Sequence, residues 1–309
     1  MARAALSLEI DHRQEIVDFM RGFSLETTPG QAAKIASFRD VLRPGTDVYV
    51  TALHSASLYD TVATAARLRR EGFNPVPHLA ARSIPNRSSF ETVLRQLRDD
   101  AGVVQVLLIG GGVDEPVGEY ADTMQLLSTG LLDKYGIHTI GVAGHPEGSP
   151  DIPDEAVKAA LAWKNEFAKR TSAKLYVVTQ FCFESEPILR WDRAIQAEGN
   201  KLPVRIGIPG VASIKTLMGH AKACGIGPSM RFITRQAMNV AKLLTVSTPD
   251  RLVSELAAYR ARDPRCGITG VHVFPLGGVK KSADWAYAAA DGNFTLDARH
   301  PGFAVPVTT

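Results

Sequence analysis

The chain has 309 residues, of which 45% are hydrophobic and 22% charged, and this composition is ordinary for a globular protein. Its 35 basic and 32 acidic residues give a formal net charge of +3, and this near balance argues against a nucleic-acid or membrane surface. Three widely separated cysteines and an N-terminus without a secretory signal predict a reduced, cytoplasmic protein.

The first half of the chain alternates strand and helix patterns. Runs of β-branched and apolar residues predict four strands, at Phe23–Glu26, Asp47–Thr51, Asn74–Leu79 and Val103–Ile109. Helical spacing of apolar residues predicts helices between them, at Gln31–Leu42, Leu58–Arg70 and Ser88–Arg98.

The second half repeats the alternation. Strands are predicted at His138–Val142, in the run that ends at Gln180, at Val204–Ile208 and at Gly270–Phe274. Helices are predicted at Glu119–Lys134, Asp154–Lys169, Pro187–Ala197 and Val211–Ala223, near Asp250 and after Lys281. Met230–Leu244 is expected to be a short helical insertion before the last βα unit.

Eight strands that alternate with eight or more helices predict an α/β protein with the (β/α)8 TIM-barrel fold. One barrel of this kind commonly uses a chain of this length, so residues 1–309 are expected to form a single domain. A doubly wound sheet is the alternative, but its GxGxxG motif after the first strand is missing.

Polar side chains follow the predicted strands. Because a TIM barrel places its site at the carboxyl ends of its strands, these residues are expected to converge on one mouth. They are Glu26, Thr51 with His54, His78, Gly110–Gly112, His145 with Glu147, Gln180, Pro209 and Pro275. No close spacing of histidine, cysteine and carboxylate residues predicts a metal site.

The motifs at these strand ends resemble those of the methylenetetrahydrofolate reductase family. They are SxExxP at Ser24–Pro29, VT at Val50–Thr51, PHL at Pro77–Leu79, HPE at His145–Glu147 and TQFxF at Thr179–Phe183. The resemblance implies a (β/α)8 barrel, in agreement with the strand count. It also implies an oxidoreductase that reduces 5,10-methylenetetrahydrofolate to 5-methyltetrahydrofolate with NADH or NADPH.

The resemblance implies that Glu26 is the catalytic acid, which protonates N10 of the folate as the five-membered ring opens. A carboxyl group in a recessed, apolar mouth is expected to have a raised pKa, which suits an acid. The alternative is a glutamate that only caps the turn after it.

The resemblance implies a substrate-binding set of Gln180, Phe183, Thr216 and His220. The amide of Gln180 offers a donor and an acceptor to the pterin edge, or it satisfies loop backbone instead. Phe181 and Phe183 suit either stacking on a flat ring or the core. Thr216 and His220 align with a second folate-contacting glutamine and a phenylalanine of the family.

FAD is the cofactor that the resemblance implies. Its expected contacts are Thr51, His78, Gly110, Gly111, Gly112, His145, Glu147 and Lys164. Lys164 also stands where the apolar stripe of its helix predicts a hydrophobic residue, so its ammonium group is expected either to reach a phosphate or to extend into solvent.

The sequence departs from the family at the flavin contacts. Glycines 110–112 stand where the family has arginine-glycine-aspartate, and Ser149 and Ala159 replace a histidine and an aspartate. Either the glycine amides hold phosphate, or hydride passes directly from NADH to folate without flavin. A barrel that works in one-carbon catabolism and a partner-dependent folate-binding subunit are further alternatives, and a homo-oligomer is left open.

Overall fold

The computed structural model describes residues 12–51, 57–223, 245–297 and 302–306. Eight barrel strands are present, and they are β1 (Ser24–Thr27), β2 (Asp47–Val50), β3 (Asn74–Ala80), β4 (Gln105–Ile109), β5 (Thr139–Gly144), β6 (Lys174–Phe181), β7 (Val204–Pro209) and β10 (Ile268–Phe274). They form a closed barrel in the order β1-β10-β7-β6-β5-β4-β3-β2. The predicted (β/α)8 TIM barrel is therefore confirmed.

Among the described residues, four short strands lie outside the barrel. β8 (Ala212–Ser213) pairs antiparallel with β9 (Val246–Ser247), and β11 (Thr295–Leu296) pairs antiparallel with β12 (Phe303–Ala304).

Helices separate the barrel strands. They are α1 (residues 12–20), α2 (Pro29–Ala32), α3 (Leu58–Glu71), α4 (Arg87–Ala101), α5 (Thr123–Ser128), α6 (Leu131–Lys134), α7 (Asp154–Ala168), α8 (Ser185–Ala197), α9 (Ile214–Ala223), α10 (Asp250–Arg262) and α11 (Val279–Ala290). Within the described residues, none of these helices has the length and apolarity needed to span a membrane. His54, Cys224 and the predicted insertion Met230–Leu244 lie outside the described residues.

Two predicted helices differ from the structure. Gln31–Leu42 contains only the end of the four-residue α2, at Ala32, and a 3-10 turn at Phe38–Asp40 instead of one helix. Arg67 on α3 donates hydrogen bonds to the carbonyl oxygens of Ala32, Ile35 and Ala36, so these groups are satisfied without a continuous helix. Glu119–Lys134 begins only after Asp122 and is broken at Gly130, which has a φ of 70°.

The chain divides into two compact units, which are described separately. The β1–β5 unit comprises Ser24–Gly144 and Glu155–Val178, and the β7–β10 unit comprises Met1–Phe23, His145–Asp154 and Thr179–Thr309. In the β1–β5 unit a buried cluster fills the inward face of the strands, and it contains Tyr49, Val76, Leu107, Tyr176 and Val178. The parallel pairing of β1 to β5 places the carboxyl ends of these strands side by side.

Candidate functional site

Three predicted site residues lie at the ends of neighbouring strands in the β1–β5 unit. Glu26 is the register partner of Tyr49, so its side chain lies on the inward face of the sheet. It is half-buried, and its Oε2 atom is fully buried. Thr51 follows β2 on the same face, and its buried Oγ1 makes no hydrogen bond to a described residue. His78 on β3 is 6% exposed.

A phenol pair lies beneath these strand ends. The hydroxyl groups of Tyr49 and Tyr176 are 2.6 Å apart and buried, and the side-chain amide of Gln105 donates to the Tyr176 hydroxyl at 2.8 Å. The Tyr49 ring meets the His78 imidazole edge-on, with 5.9 Å between ring centroids. The mouth of this unit therefore rests on a rigid layer of ordered aromatic side chains.

The loop after β4 is fastened to the end of β3. Gly111 has a φ of 101°, and a Cβ atom there would lie 3.3 Å from Ala80 Cβ and 3.6 Å from Arg82 Cβ. The Arg82 amide donates to the Gly110 carbonyl at 2.9 Å, and the Arg82 carbonyl accepts from Val117. Glycine is required at 111 because the left-handed backbone and the neighbouring strand both disfavour a side chain.

Lys164 is buried on α7 with only 6% of its surface exposed. Burial lowers the pKa of its ammonium group from 10.5 to about 8, and the carboxylate of Asp122 partly offsets this effect. Within the described part of the chain, Lys164 makes no hydrogen bond and no ion pair. The expectation that lysine occupies the inner stripe of this helix is confirmed, and the side chain does not extend into solvent.

In the β7–β10 unit, Gln180 belongs to β6, which continues one residue beyond the predicted end. Its Oε1 accepts a hydrogen bond from the Phe181 amide at 3.1 Å, while its amide nitrogen donates to no described residue. Thr179 accepts from the Gly207 amide at 2.8 Å. A Cβ atom at residue 207 would lie 2.4 Å from the Thr179 carbonyl oxygen, so glycine allows this close approach.

The other predicted substrate residues are partly structural. Phe183 is 8% exposed and belongs to a core cluster with Phe181 and Leu217. The Thr216 hydroxyl is 2.9 Å from Ser213 Oγ, and the Thr216 amide donates to the same oxygen at the start of α9. His220 is exposed in the last turn of α9. Their roles towards a substrate remain predictions.

His145 and Glu147 follow β5 in a turn closed by Gly148, whose amide donates to the His145 carbonyl at 3.1 Å. Both residues are half-buried. Burial raises the pKa of the Cys182 thiol well above its usual value, and the nearby Glu147 carboxylate raises it further. Cys182 is therefore a protonated, unreactive thiol next to the turn.

A surface groove of about 820 Å³ lies elsewhere in the β7–β10 unit, between α8 and α10. Arg193, Tyr259, Asp263 and Arg265 line it. These residues lie near the amino-terminal end of β10, and none of the predicted site residues lines the groove. The groove is therefore separate from the strand-end residues.

The residues of the β1–β5 unit suit a dinucleotide with a negatively charged pyrophosphate. A buried lysine that has no hydrogen bond to a described anion attracts a negative group, and the Thr51 hydroxyl makes no hydrogen bond to a described residue. FAD and the nicotinamide dinucleotides share this pyrophosphate, so the residues fit either of them.

Sequence reasoning missed Arg82, Tyr49, Tyr176 and Gln105. Arg82 was overlooked because the predicted third strand stopped at Leu79, whereas β3 continues to Ala80 and the arginine is the second residue after it. Its position just after a barrel strand was the available signal. The phenol pair had no local signal, because Tyr49 and Tyr176 are 127 residues apart in the chain.

Comparison with known proteins gives three findings. A family model described as methylenetetrahydrofolate reductase matches residues 48–238, more than half of the chain. Methylenetetrahydrofolate reductase 2 of Saccharomyces cerevisiae is 33% identical over 87 residues, which cover 28% of this chain and 14% of the yeast protein. The matched stretch thus spans only about one-seventh of the yeast protein's length.

Among solved structures, an uncharacterized protein from Clostridium thermocellum, described as binding two copies of 5-methyl-5,6,7,8-tetrahydrofolic acid, is similar in fold. The TM-score is 0.59 with 14% sequence identity, and the similarity covers 90% of this chain and 97% of that chain. At this identity the likeness supports the barrel fold alone.

Proposed function

Because the chain belongs to the methylenetetrahydrofolate reductase family, we propose that it reduces 5,10-methylenetetrahydrofolate to 5-methyltetrahydrofolate, with NADH or NADPH as electron donor. The observation that carries the proposal is the position of Glu26. This carboxyl group ends the first barrel strand with one oxygen buried, as an acid at the mouth of a barrel requires.

In this proposal Glu26 donates a proton to N10 of the folate. The C–N10 bond of the five-membered ring breaks, its electron pair takes the proton, and the one-carbon unit becomes an iminium at N5. Hydride addition to that carbon then gives the methyl group. Thr51 follows the neighbouring strand β2, and His78 lies on β3, the next strand of the barrel.

Gln180 is proposed to orient the pterin. Its Oε1 already accepts from the Phe181 amide, which fixes the side chain and leaves its amide nitrogen available to donate. A fixed donor positions a heterocycle more accurately than a mobile one, since less rotamer entropy is lost on binding. Phe183, Thr216 and His220 are proposed to contact the rest of the folate.

FAD, when bound, supplies hydride transfer between the nicotinamide donor and the folate. Lys164, Thr51, His78 and the glycines at 110–112 are proposed to hold it, with His145 and Glu147 from the turn after β5. The competing proposal is direct hydride transfer from NADH without flavin. The glycines at 110 and 112 favour it, because they supply neither the arginine nor the aspartate of the family motif.

The substitution Glu26→Gln tests the proposed acid. It keeps the size of the side chain but removes the transferable proton, so kcat/KM for methylenetetrahydrofolate is expected to fall by about 100-fold or more. Glu166→Gln, an exposed glutamate on α7, is the matched control and should retain full activity. Unchanged folate turnover in Glu26→Gln would refute the assignment.

The visible spectrum of freshly purified protein separates the two electron routes. Flavin bands near one equivalent per chain support FAD. A colourless protein that still oxidises NADH with methylenetetrahydrofolate supports direct transfer. In either case Glu26→Gln should stop folate reduction, and any flavin-linked NADH oxidation should survive.

A further inference from the structure

Lys164 is a buried cation that makes no hydrogen bond or ion pair to a described residue, although the Asp122 carboxylate lies near it. Only 6% of the residue is exposed, and no hydrogen bond or ion pair to a described residue satisfies the ammonium group. Among the described residues, the Asp122 carboxylate is the charge that raises the pKa of Lys164, and it also accepts from the Gln125 amide at 3.0 Å as the cap of α5. Burying a cation in this way is costly unless a ligand neutralises it.

Arg82 is bonded to the stretch of chain that precedes Asp122. Its Nε donates to the Ala121 carbonyl at 3.0 Å, and its Nη1 donates to the Val113 carbonyl at 3.3 Å. Its Nη2 group makes no hydrogen bond within the described part of the chain. The guanidinium is thus held in place by two bonds and still has charge and donors to offer.

The loop that Arg82 holds connects these groups. It runs from Gly110 to Asp122, and the residue after Ala121 is the aspartate that faces Lys164. The amides of Gly111 and Gly112 donate to no described residue. Arg82 is therefore bonded to this loop and Lys164 lies near its last residue, and the loop also carries two backbone donors without a described acceptor and one carboxylate.

We propose that Arg82 is a binding residue for the pyrophosphate of a dinucleotide, acting with Lys164 and the amides of Gly111 and Gly112. Two linked phosphates can pair with two cations on separate elements, because each phosphate carries its own charge. A single carboxylate can neutralise only one of these cations. Arg82 also holds the loop in the geometry that presents the glycine amides. The inference depends on the proposed function only for the identity of the dinucleotide.

Calorimetric titration with ADP-ribose tests the proposal, since this probe carries the pyrophosphate without a redox group. Arg82→Gln keeps an amide that can donate to the loop carbonyls but removes the positive charge. The Kd for ADP-ribose is expected to rise about tenfold or more, because a charge-assisted contact is lost. Adenosine, which has no phosphate, should bind both proteins equally.

Arg69→Gln is the matched control. Arg69 also donates to two backbone carbonyls, those of Ala101 and Gly102, but it lies at the opposite ends of the same strands. This variant should bind ADP-ribose like the wild type. If Arg82→Gln does not fold, as judged by circular dichroism, Lys164→Met takes its place with the same expected weakening.

Titrations with FAD and with NADH distinguish the two sources of pyrophosphate, because Arg82→Gln should weaken the one that uses this loop. An ADP-ribose Kd within twofold of the wild type overturns the proposal, as does equal weakening of adenosine and ADP-ribose or no binding by the wild type. Folate turnover is measured separately. A protein that binds ADP-ribose through Arg82 without reducing methylenetetrahydrofolate would refute the proposed reaction and leave this site standing.

Discussion

If a dinucleotide binds at Lys164 as proposed, its affinity should depend on pH. Its pKa of about 8 in the free protein means that the ammonium group loses its proton as pH rises through this value. If the charged form is the one that binds the pyrophosphate, the Kd for ADP-ribose should be about tenfold larger at pH 9 than at pH 7. Calorimetry across this range measures the effect, and Lys164→Met should give a weak, flat profile.

Lys164 should affect affinity and stability in opposite directions as pH rises: the affinity for ADP-ribose falls, whereas the free energy of unfolding increases. Its pKa is lowered on folding, so between about pH 8 and 10.5 the unfolded chain binds more protons than the native one. The contribution of Lys164 to the free energy of unfolding therefore becomes more favourable as pH rises through this window. If the affinity of the wild-type protein for ADP-ribose does not change between pH 7 and pH 9, the proposal that charged Lys164 binds the pyrophosphate is contradicted.

The hydrogen bond between the Tyr49 and Tyr176 hydroxyl groups is expected to contribute to stability, so removal of one oxygen atom should lower the free energy of unfolding. Tyr49→Phe removes one hydroxyl group and its hydrogen bond to the buried Tyr176 hydroxyl, which keeps the hydrogen bond from Gln105. The free energy of unfolding should therefore fall by about 1–2 kcal/mol. Denaturant unfolding measures this loss. Tyr59→Phe is the control, because Tyr59 is 72% exposed and should change nothing. Equal stability of both variants would mean that the hydroxyl contact contributes nothing.

At the residue scale, sequence reasoning found what local motifs encode. Glu26 and Gln180 stand at strand ends within short recognisable patterns, and the structure places both there. The functions of these residues stay predictions. Arg82 was missed because its proposed role depends on a distant loop. The carbonyl groups that hold its guanidinium are 31 and 39 residues later in the chain.

At the scale of elements, the loop after β4 is held by a close backbone contact. A Cβ atom on Gly118 would lie 1.8 Å from the Pro85 carbonyl oxygen, where the Glu119 amide also donates at 3.0 Å. Gly118→Ala should therefore displace the loop and lower the free energy of unfolding by about 1–3 kcal/mol. Hydrogen exchange over residues 113–121 should become faster.

Gly110→Ala is the matched control for this loop. Nothing lies within 4 Å of a Cβ atom at Gly110, and its φ is not in the left-handed region. Its stability should therefore stay within about 0.5 kcal/mol of the wild type. Equal losses in the two variants would show that the Pro85 contact does not determine the stability of the loop.

Element boundaries were harder to predict than element types. The strand β6 was recognised from its apolar run, but helix Gln31–Leu42 was wrong because its carbonyls bond to Arg67 on the following helix. Apolar spacing reports which face is buried, and it does not report a distant side chain that satisfies the backbone. Gly130 divided a second predicted helix for a local reason that could have been read from the sequence.

At the scale of the whole molecule, a bound folate should stabilise the fold. Any ligand that binds only the native state adds about 2.7 kcal/mol to the free energy of unfolding at one hundred times its Kd. Titration with 5-methyltetrahydrofolate should therefore raise the melting temperature of the wild type by several degrees, as followed by calorimetry. Glu26→Gln should retain this shift, since the amide keeps the shape of the carboxyl group.

Gln180→Met should reduce the shift at the same ligand concentration, because it removes the proposed contact to the pterin. A full shift in this variant would contradict the role of Gln180, and no shift in the wild type would contradict folate binding itself.

The barrel was predictable because eight separate strand signals agreed with one another. No single run was decisive, but the alternation of strand and helix along the chain excludes most other folds. The arrangement of side chains within the barrel was less predictable. Register pairs such as Glu26 with Tyr49 depend on how distant strands align, and periodicity alone does not fix that alignment.

The open space beside Gly110 bears on how this protein can evolve. A Cβ atom at that residue would have no atom of another part of the described chain within 4 Å, and the φ of Gly110 lies outside the left-handed region. Glycine and arginine codons differ by a single base. A single base change therefore exchanges glycine and arginine at residue 110, and the backbone conformation there permits the exchange in either direction.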